Sequence, residues 1–291
     1  MTQIISAFSE VSSRYKAAFV DLWGCMHNGV TAFPEAVAAM QAFRAEGGTV
    51  ILVTNAPRPR ADVERQIAGF GIPKDAYDSI ATSGDSARVA MFQGAIGSKV
   101  WFMGNAATDG GFFEPPKIIE DPVAITRVEL EEAEGIACLG PFDVHADPEV
   151  NRPQFLYAKQ KGLKLLCANP DIVVDRGESR EWCAGALAKL YTDMGGESLY
   201  FGKPHPSIYD LARARLAEIG KGCADTQIIA IGDGIHTDIA GAMGEDLDSL
   251  FITGGLAAVE TGTDHHPDKA KLEAFLAAEM ASPTYTIGLL R

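Results

Sequence analysis

Two apolar runs, Ala17 to Val20 and Thr49 to Val53, flank an amphipathic stretch that Pro34 opens and Gly47-Gly48 closes. No other feature restricts the fold as strongly. Each run is short and ends in turn chemistry, the pattern of a strand buried on both faces. Pro in the first turn and Gly beyond the last punctuate a helix between them, with Val37, Met40 and Phe43 on its apolar face. A strand, helix and strand at this spacing predict a βαβ unit whose strands are parallel neighbours. Such a sheet presents its chemistry just beyond the carboxyl ends of the strands. Asp21 and Thr54 stand at those ends, and Gly24 lets the backbone turn sharply after Asp21.

The pattern continues with a helix over roughly 60–70 and a short strand near Ile80. From about Thr82 to Cys183 the texture changes. A helix over 85–92 and a strand over 99–103 precede a Gly- and Pro-rich turn region, 110–116. Strands are expected at 136–139 and 164–167 around a helical segment, 148–161, and the second strand ends in Asn169-Pro170-Asp171. Alternation then resumes with a helix over 181–194 and a strand over 198–201 closed by Gly202-Lys203-Pro204. A helix over 207–219 leads to a strand over 227–231, which ends in Gly232-Asp233-Gly234-Ile235-His236-Thr237-Asp238. A strand at 249–253, a helix at 269–280 and the segment 285–287 finish the chain. The organisation expected is an α/β core with a parallel sheet, residues 1–81 and 184–291, interrupted by an inserted α/β lobe, residues 82–183.

Composition narrows the function classes. At 291 residues the chain is long enough for two domains. A formal net charge of −14 argues against a nucleic-acid partner, since phosphate backbones are held by Lys and Arg. It leaves room for small phosphorylated substrates, which need only a few local cations. There is no apolar h-region near the start and no run of about 20 apolar residues, so no membrane partner is expected. The five cysteines are odd in number, widely spaced and without a C-x-x-C pair, which fits reduced thiols in a cytoplasmic protein. Most of them read as small buried apolar residues. The acidic run 129–134 reads as a solvated face, because like charges this close repel.

Four strand ends therefore carry polar groups: Asp21, Thr54, Lys203 and the Asp233/Asp238 pair. Singly, each has an ordinary reading as a turn, a helix cap or a solvated charge. Together on one sheet edge they suit phosphoryl chemistry. A carboxylate can attack phosphorus to form an aspartyl-phosphate. A hydroxyl and an ammonium can hold the transferring oxygens. Mg²⁺ takes a few carboxylate oxygens plus waters and phosphate oxygens, which Asp21 and Asp233 could supply.

The ordered set Asp21-Leu22-Trp23-Gly24, Thr54-Asn55, Gly202-Lys203-Pro204 and Gly232-Asp233-(x)4-Asp238 resembles the haloacid dehalogenase superfamily, and within it the phosphatase-like subfamily IIA. The resemblance covers roughly residues 15 to 255. It implies a Rossmann-like core with a large inserted α/β cap, acting on a small phosphorylated metabolite as a Mg²⁺-dependent phosphoric monoester hydrolase. By that resemblance Asp21 is the nucleophile, and Thr54 and Lys203 bind phosphate. Asp21, Asp233 and the Trp23 backbone carbonyl hold the metal, with Asp238 supporting the metal or Lys203. Asn55 and the cap-loop residue Asp171 would meet the substrate, although Asn-Pro-Asp also makes an ordinary turn. The cap also offers a surface for a homodimer.

One residue departs from the pattern. Phosphatases of the superfamily carry a second aspartate two positions after the nucleophile, and Trp23 stands there. An indole N–H does not titrate and cannot pass a proton to the leaving group. A positioned acid/base contributes about 10²–10⁴-fold, so its loss predicts slow turnover and a preference for good leaving groups. His27 and His236, in the two loops, titrate in the range a substitute would need. Two other readings remain open: a phospholigand-binding or sensing protein without turnover, and cleavage of a carbon–halogen or carbon–phosphorus bond by the same aspartate.

Overall fold

The computed structural model describes residues 2–176 and 179–291. Strands follow in chain order as β1 (Gln3–Ile4), β2 (Ala17–Val20), β3 (Thr49–Thr54), β4 (Ser79–Thr82), β5 (Lys99–Met103), β6 (Thr126–Arg127) and β7 (Gly135–Cys138). They continue as β8 (Lys164–Cys167), β9 (Val173–Arg176), β10 (Ser179–Trp182), β11 (Glu197–Tyr200), β12 (Ile228–Gly232), β13 (Asp248–Ile252) and β14 (Tyr285–Ile287). The chain forms two compact units, each made of sequence-discontinuous pieces. The first takes the described residues of Met1–Thr54, Glu64–Ala81 and Lys203–Arg291; the second takes those of Asn55–Val63 and Thr82–Gly202.

The first unit is built on a seven-stranded sheet in the order β1-β14-β13-β12-β2-β3-β4. β2 lies between β12 and β3, parallel to both. Every residue of β2 and β3 is buried, as their unbroken apolar runs require. The helix Pro206–Glu218 lays Ile208, Tyr209, Leu211, Ala212 and Leu216 against Ala17, Phe19, Ile51 and Val53 on one sheet face. Burying a Leu, Ile or Phe side chain in this way contributes about 1.5–3 kcal/mol relative to leaving it in water. The expected βαβ unit is present, with the helix Pro34–Ala45 between β2 and β3.

The second unit has a five-stranded parallel sheet, β11-β8-β7-β5-β6, and an antiparallel ribbon of β9 and β10. Its limits differ from the expected 82–183. β11 pairs with β8, Glu197 opposite Lys164 and Tyr200 opposite Cys167. The helix Ala184–Asp193 buries Ala184, Leu187, Leu190 and Tyr191 among Met103, Phe155 and Leu165. Residues 184–202 therefore belong to the inserted unit and not to the 184–291 core segment, because their backbone and apolar partners are there. The helix expected over 181–194 begins later, at Ala184, since residues 179–182 form β10. The acidic run sits at the surface as expected, with Glu129, Glu131, Glu132 and Glu134 exposed. Among the described residues, no helix is long and apolar enough to cross a membrane.

Candidate active site

The sheet order brings three site residues to one edge. Val20 is opposite Ile231 on β12 and Leu52 on β3, so Asp21, Asp233 and Thr54 leave neighbouring parallel strands at their carboxyl ends. Asp21 continues the ladder for one more bond, its N–H donating to the Ile231 carbonyl at 2.8 Å. All three side chains are buried.

Lys203 reaches this edge by a different route from the one expected. The strand preceding it, β11, is in the other sheet, so Lys203 does not end a core strand. It opens the last segment of the first unit, just before the helix Pro206–Glu218. Its Nζ nevertheless donates to Asp21 Oδ1 at 2.5 Å and to Asp238 Oδ1 at 2.7 Å. Asp238 lies in the helical turn Ile235–Ile239 after β12, and its other oxygen accepts from the Gly234 N–H at 3.1 Å. Asp233 Oδ2 accepts from the Leu256 N–H at 3.1 Å.

Burial dominates the electrostatics. It raises the Asp21 carboxyl well above the ordinary range, with Lys203 opposing the rise and Asp238 and Asp233 adding to it. It pushes Asp233 up to about 7, with Asp238 contributing in the same sense. Burial alone would lower Lys203, but Asp21 and Asp238 outweigh it and hold the ammonium charged. Three buried carboxylates thus share one buried ammonium, a surplus of negative charge that favours a cation.

The space at Asp233 is consistent with that. A Cβ on Gly24 (φ +74°) would lie 2.1 Å from Asp233 Oδ2, and one on Gly255 would lie 2.0 Å from the same oxygen. Two glycines thus let backbone close around the carboxylate where a side chain would fill the space. One oxygen each of Asp21 and Asp233, together with Cys25 Sγ, lie within 4.8 Å of one another. The donor set fits a divalent cation. Cys25 is the member sequence reasoning missed: read as a small buried apolar residue, it is buried but faces two carboxylates. Its place four residues after Asp21, in the turn that Gly24 begins, was the available signal.

The loop after Asp21 is tightly braced. Met26 and His27 both donate to the Leu22 carbonyl, and Asn28 Oδ1 accepts from the Val30 and Thr31 N–H groups. The half-buried Trp23 ring meets His27 edge-on at 5.5 Å. A Cβ on Gly29 (φ +85°) would lie 2.2 Å from the far edge of the indole. His27 is 4 % exposed, and burial lowers its pKa to about 4. Its Nδ1 accepts from the Gly29 N–H at 2.9 Å, which assigns a neutral ring with the proton on Nε2. His236 is exposed, 3.3 Å from Glu279. Among the described residues, neither imidazole hydrogen-bonds to Asp21, Asp233 or Asp238.

Asn55 and Asp171 meet in the second unit. Asn55 Nδ2 donates to Asp171 Oδ1 at 2.8 Å, and Asn169 Oδ1 accepts from the Asp171 N–H at 3.0 Å. The turn reading of Asn-Pro-Asp is therefore present, and it leaves the Asp171 carboxylate joined to the residue that follows Thr54.

With this geometry in view, comparison with known proteins gives a consistent result. The profile of the haloacid dehalogenase-like hydrolases matches residues 18–110, and a second profile, HAD-hydrolase-like, matches residues 200–276. A crystal structure of a haloacid dehalogenase-like hydrolase from Brucella suis 1330 is 37 % identical, with a TM-score of 0.83 over 99 % of this chain and 100 % of that one. The chain belongs to the haloacid dehalogenase-like hydrolase family. The 5'-nucleotidase YutF of Bacillus subtilis (strain 168) is 24 % identical over 261 residues, 86 % of this chain and 91 % of that protein. A p-nitrophenyl phosphatase structure from Archaeoglobus fulgidus shares the fold at 18 % identity, with a TM-score of 0.68 over 94 % of this chain and 96 % of that one.

Proposed function

We propose that this protein is a Mg²⁺-dependent phosphatase of subfamily IIA type that hydrolyses a small phosphate monoester with Asp21 as nucleophile. The observation that carries the reading is the buried cluster in which Lys203 bridges Asp21 and Asp238 beside Asp233. Lys203 fixes Asp21 Oδ1 and leaves the carboxylate's second oxygen for attack. As the Asp21 O–P bond forms, the bond to the leaving oxygen breaks. Thr54 and Lys203 hold the phosphoryl oxygens through the charge shift. Water then cleaves the aspartyl-phosphate and regenerates the carboxylate. Asp21, Asp233 and the Trp23 carbonyl would hold Mg²⁺, with Asp238 behind them through Lys203. When bound, the ion neutralises the dianionic phosphate that would otherwise repel Asp21. Similarity to a protein named as a 5'-nucleotidase is in keeping with a phosphate monoester. Asn55 and Asp171 are the substrate-facing polar groups of this proposal, and the inserted unit is its cap.

Trp23 sets the leaving-group rule. With no titratable group at that position, the leaving oxygen departs unprotonated, so aryl or acyl phosphates outrun alkyl phosphates. Release of p-nitrophenol from p-nitrophenyl phosphate should require Mg²⁺ and disappear in Asp21→Asn, with glycerol phosphate turned over far more slowly. Equal rates on the two esters would remove the leaving-group rule. Tight, Mg²⁺-dependent ester binding without product would favour a phospholigand-binding protein instead.

A further inference from the structure

Magnesium is a hard ion that takes oxygen donors, yet this centre also presents sulfur. Cys25 is 1 % exposed, and its Sγ lies within 4.8 Å of carboxylate oxygens of both Asp21 and Asp233. A single ion holds carboxylate oxygen at about 2.0–2.2 Å and thiolate sulfur at about 2.3 Å, so its donors stand at most about 4.5 Å apart. Tetrahedral donors stand about 3.6 Å apart, so three atoms within 4.8 Å of one another close on one ion with shifts of about 1 Å or less. The carboxylates come from two neighbouring strands of the buried sheet, and Cys25 from the loop braced through Leu22. The three donors therefore sit on backbone that needs little rearrangement to converge. Soft thiolate with oxygen donors favours zinc- or cadmium-like ions over magnesium.

We propose that Cys25 is a further metal ligand, which with Asp21 and Asp233 gives this centre a second binding mode for thiophilic divalent cations. The inference rests on the reading of Asp21 and Asp233 as the cation site. On binding, the Cys25 S–H bond breaks, the sulfur lone pair goes to the ion and the proton leaves to solvent. No change of oxidation state is involved. An ion held this way would displace Mg²⁺ from Asp21 and Asp233, so it acts as an inhibitor relieved by removing the thiol.

The test is a Cd²⁺ titration of the metal-free protein, read by the ultraviolet thiolate-to-cadmium charge-transfer band, with Mg²⁺ affinity measured in parallel by calorimetry. Cys25→Ser and Cys25→Val are compared with wild type, so that one folded variant suffices. Cys223 is half-buried, and any band it contributes persists in both variants. The expected result is a saturable band lost in both variants, with Cd²⁺ affinity lowered by about 10-fold or more. Mg²⁺ affinity should hold within about twofold, because that ion takes oxygen. Cd²⁺ binding with no Cys25-dependent band overturns the proposal and leaves the Mg²⁺ site standing. Failure of wild type to bind either ion overturns the cation site and this proposal with it.

Discussion

Trp23 and Asp233 decide most of the chemistry expected at single residues. Trp23 packs against His27 and Gly29 and supplies no proton. Replacing it by Asp restores an acid at that position, and Trp23→Asp should raise turnover of alkyl phosphates by up to about 10²–10⁴-fold, with a smaller gain on p-nitrophenyl phosphate. No gain on the alkyl ester would show that proton transfer is not what limits the wild type. Asp233 titrates near 7 in the metal-free fold against an ordinary 3.8. Over that interval the folded state keeps a proton that the unfolded chain has lost, so this group makes stability fall as pH rises from about 4 to 7. A cation that replaces the proton reverses the loss. The Mg²⁺-induced rise in Tm should therefore be larger at about pH 8 than at about pH 5.5, and Asp233→Asn should abolish the difference. Asp21 and Asp233 were legible because each ends an apolar run. Cys25 was not, because a buried thiol reads the same whether it meets carbon or carboxylate.

At the scale of elements, local pattern located most strands and helices but not their partners. β11 was visible as an apolar run, yet nothing in that run says which sheet it joins. Pairing with β8 is a contact between residues more than thirty positions apart, fixed by the whole inserted unit. β1 and β6, of two residues each, are too short to show a period. The helix Ser83–Phe92 illustrates what holds such elements in place. Its buried Arg88 pairs with Asp85 at 2.7 Å and also donates to the Phe112 and Glu114 carbonyls, which ties residues 110–114 to the helix. Asp85→Ala leaves that guanidinium without its carboxylate and should cost about 3–5 kcal/mol, read from the urea midpoint. A cost below about 1 kcal/mol would mean that the two carbonyls suffice.

Taken whole, the molecule splits its candidate site residues between two units. Asp21, Thr54, Lys203, Asp233 and Asp238 belong to the first, and Asn55 and Asp171 to the second. The chain passes between the units directly after Thr54 and directly before Lys203, so two of the proposed phosphate-binding residues border the crossings. The order of motifs made the family legible, while the crossing at 202–203 depended on sheet membership and was not. Phosphorylation of Asp21 is the step that separates turnover from mere phospholigand binding. Lacking a base at position 23, the protein should form the aspartyl-phosphate from an aryl phosphate faster than it hydrolyses it. Rapid-quench intact mass spectrometry after mixing with p-nitrophenyl phosphate and Mg²⁺ measures this directly. The expected result is a transient phosphoryl adduct that maps to Asp21, is absent in Asp21→Asn and falls in Trp23→Asp. Turnover without an adduct, or an adduct that survives Asp21→Asn, would rule out Asp21 as the nucleophile.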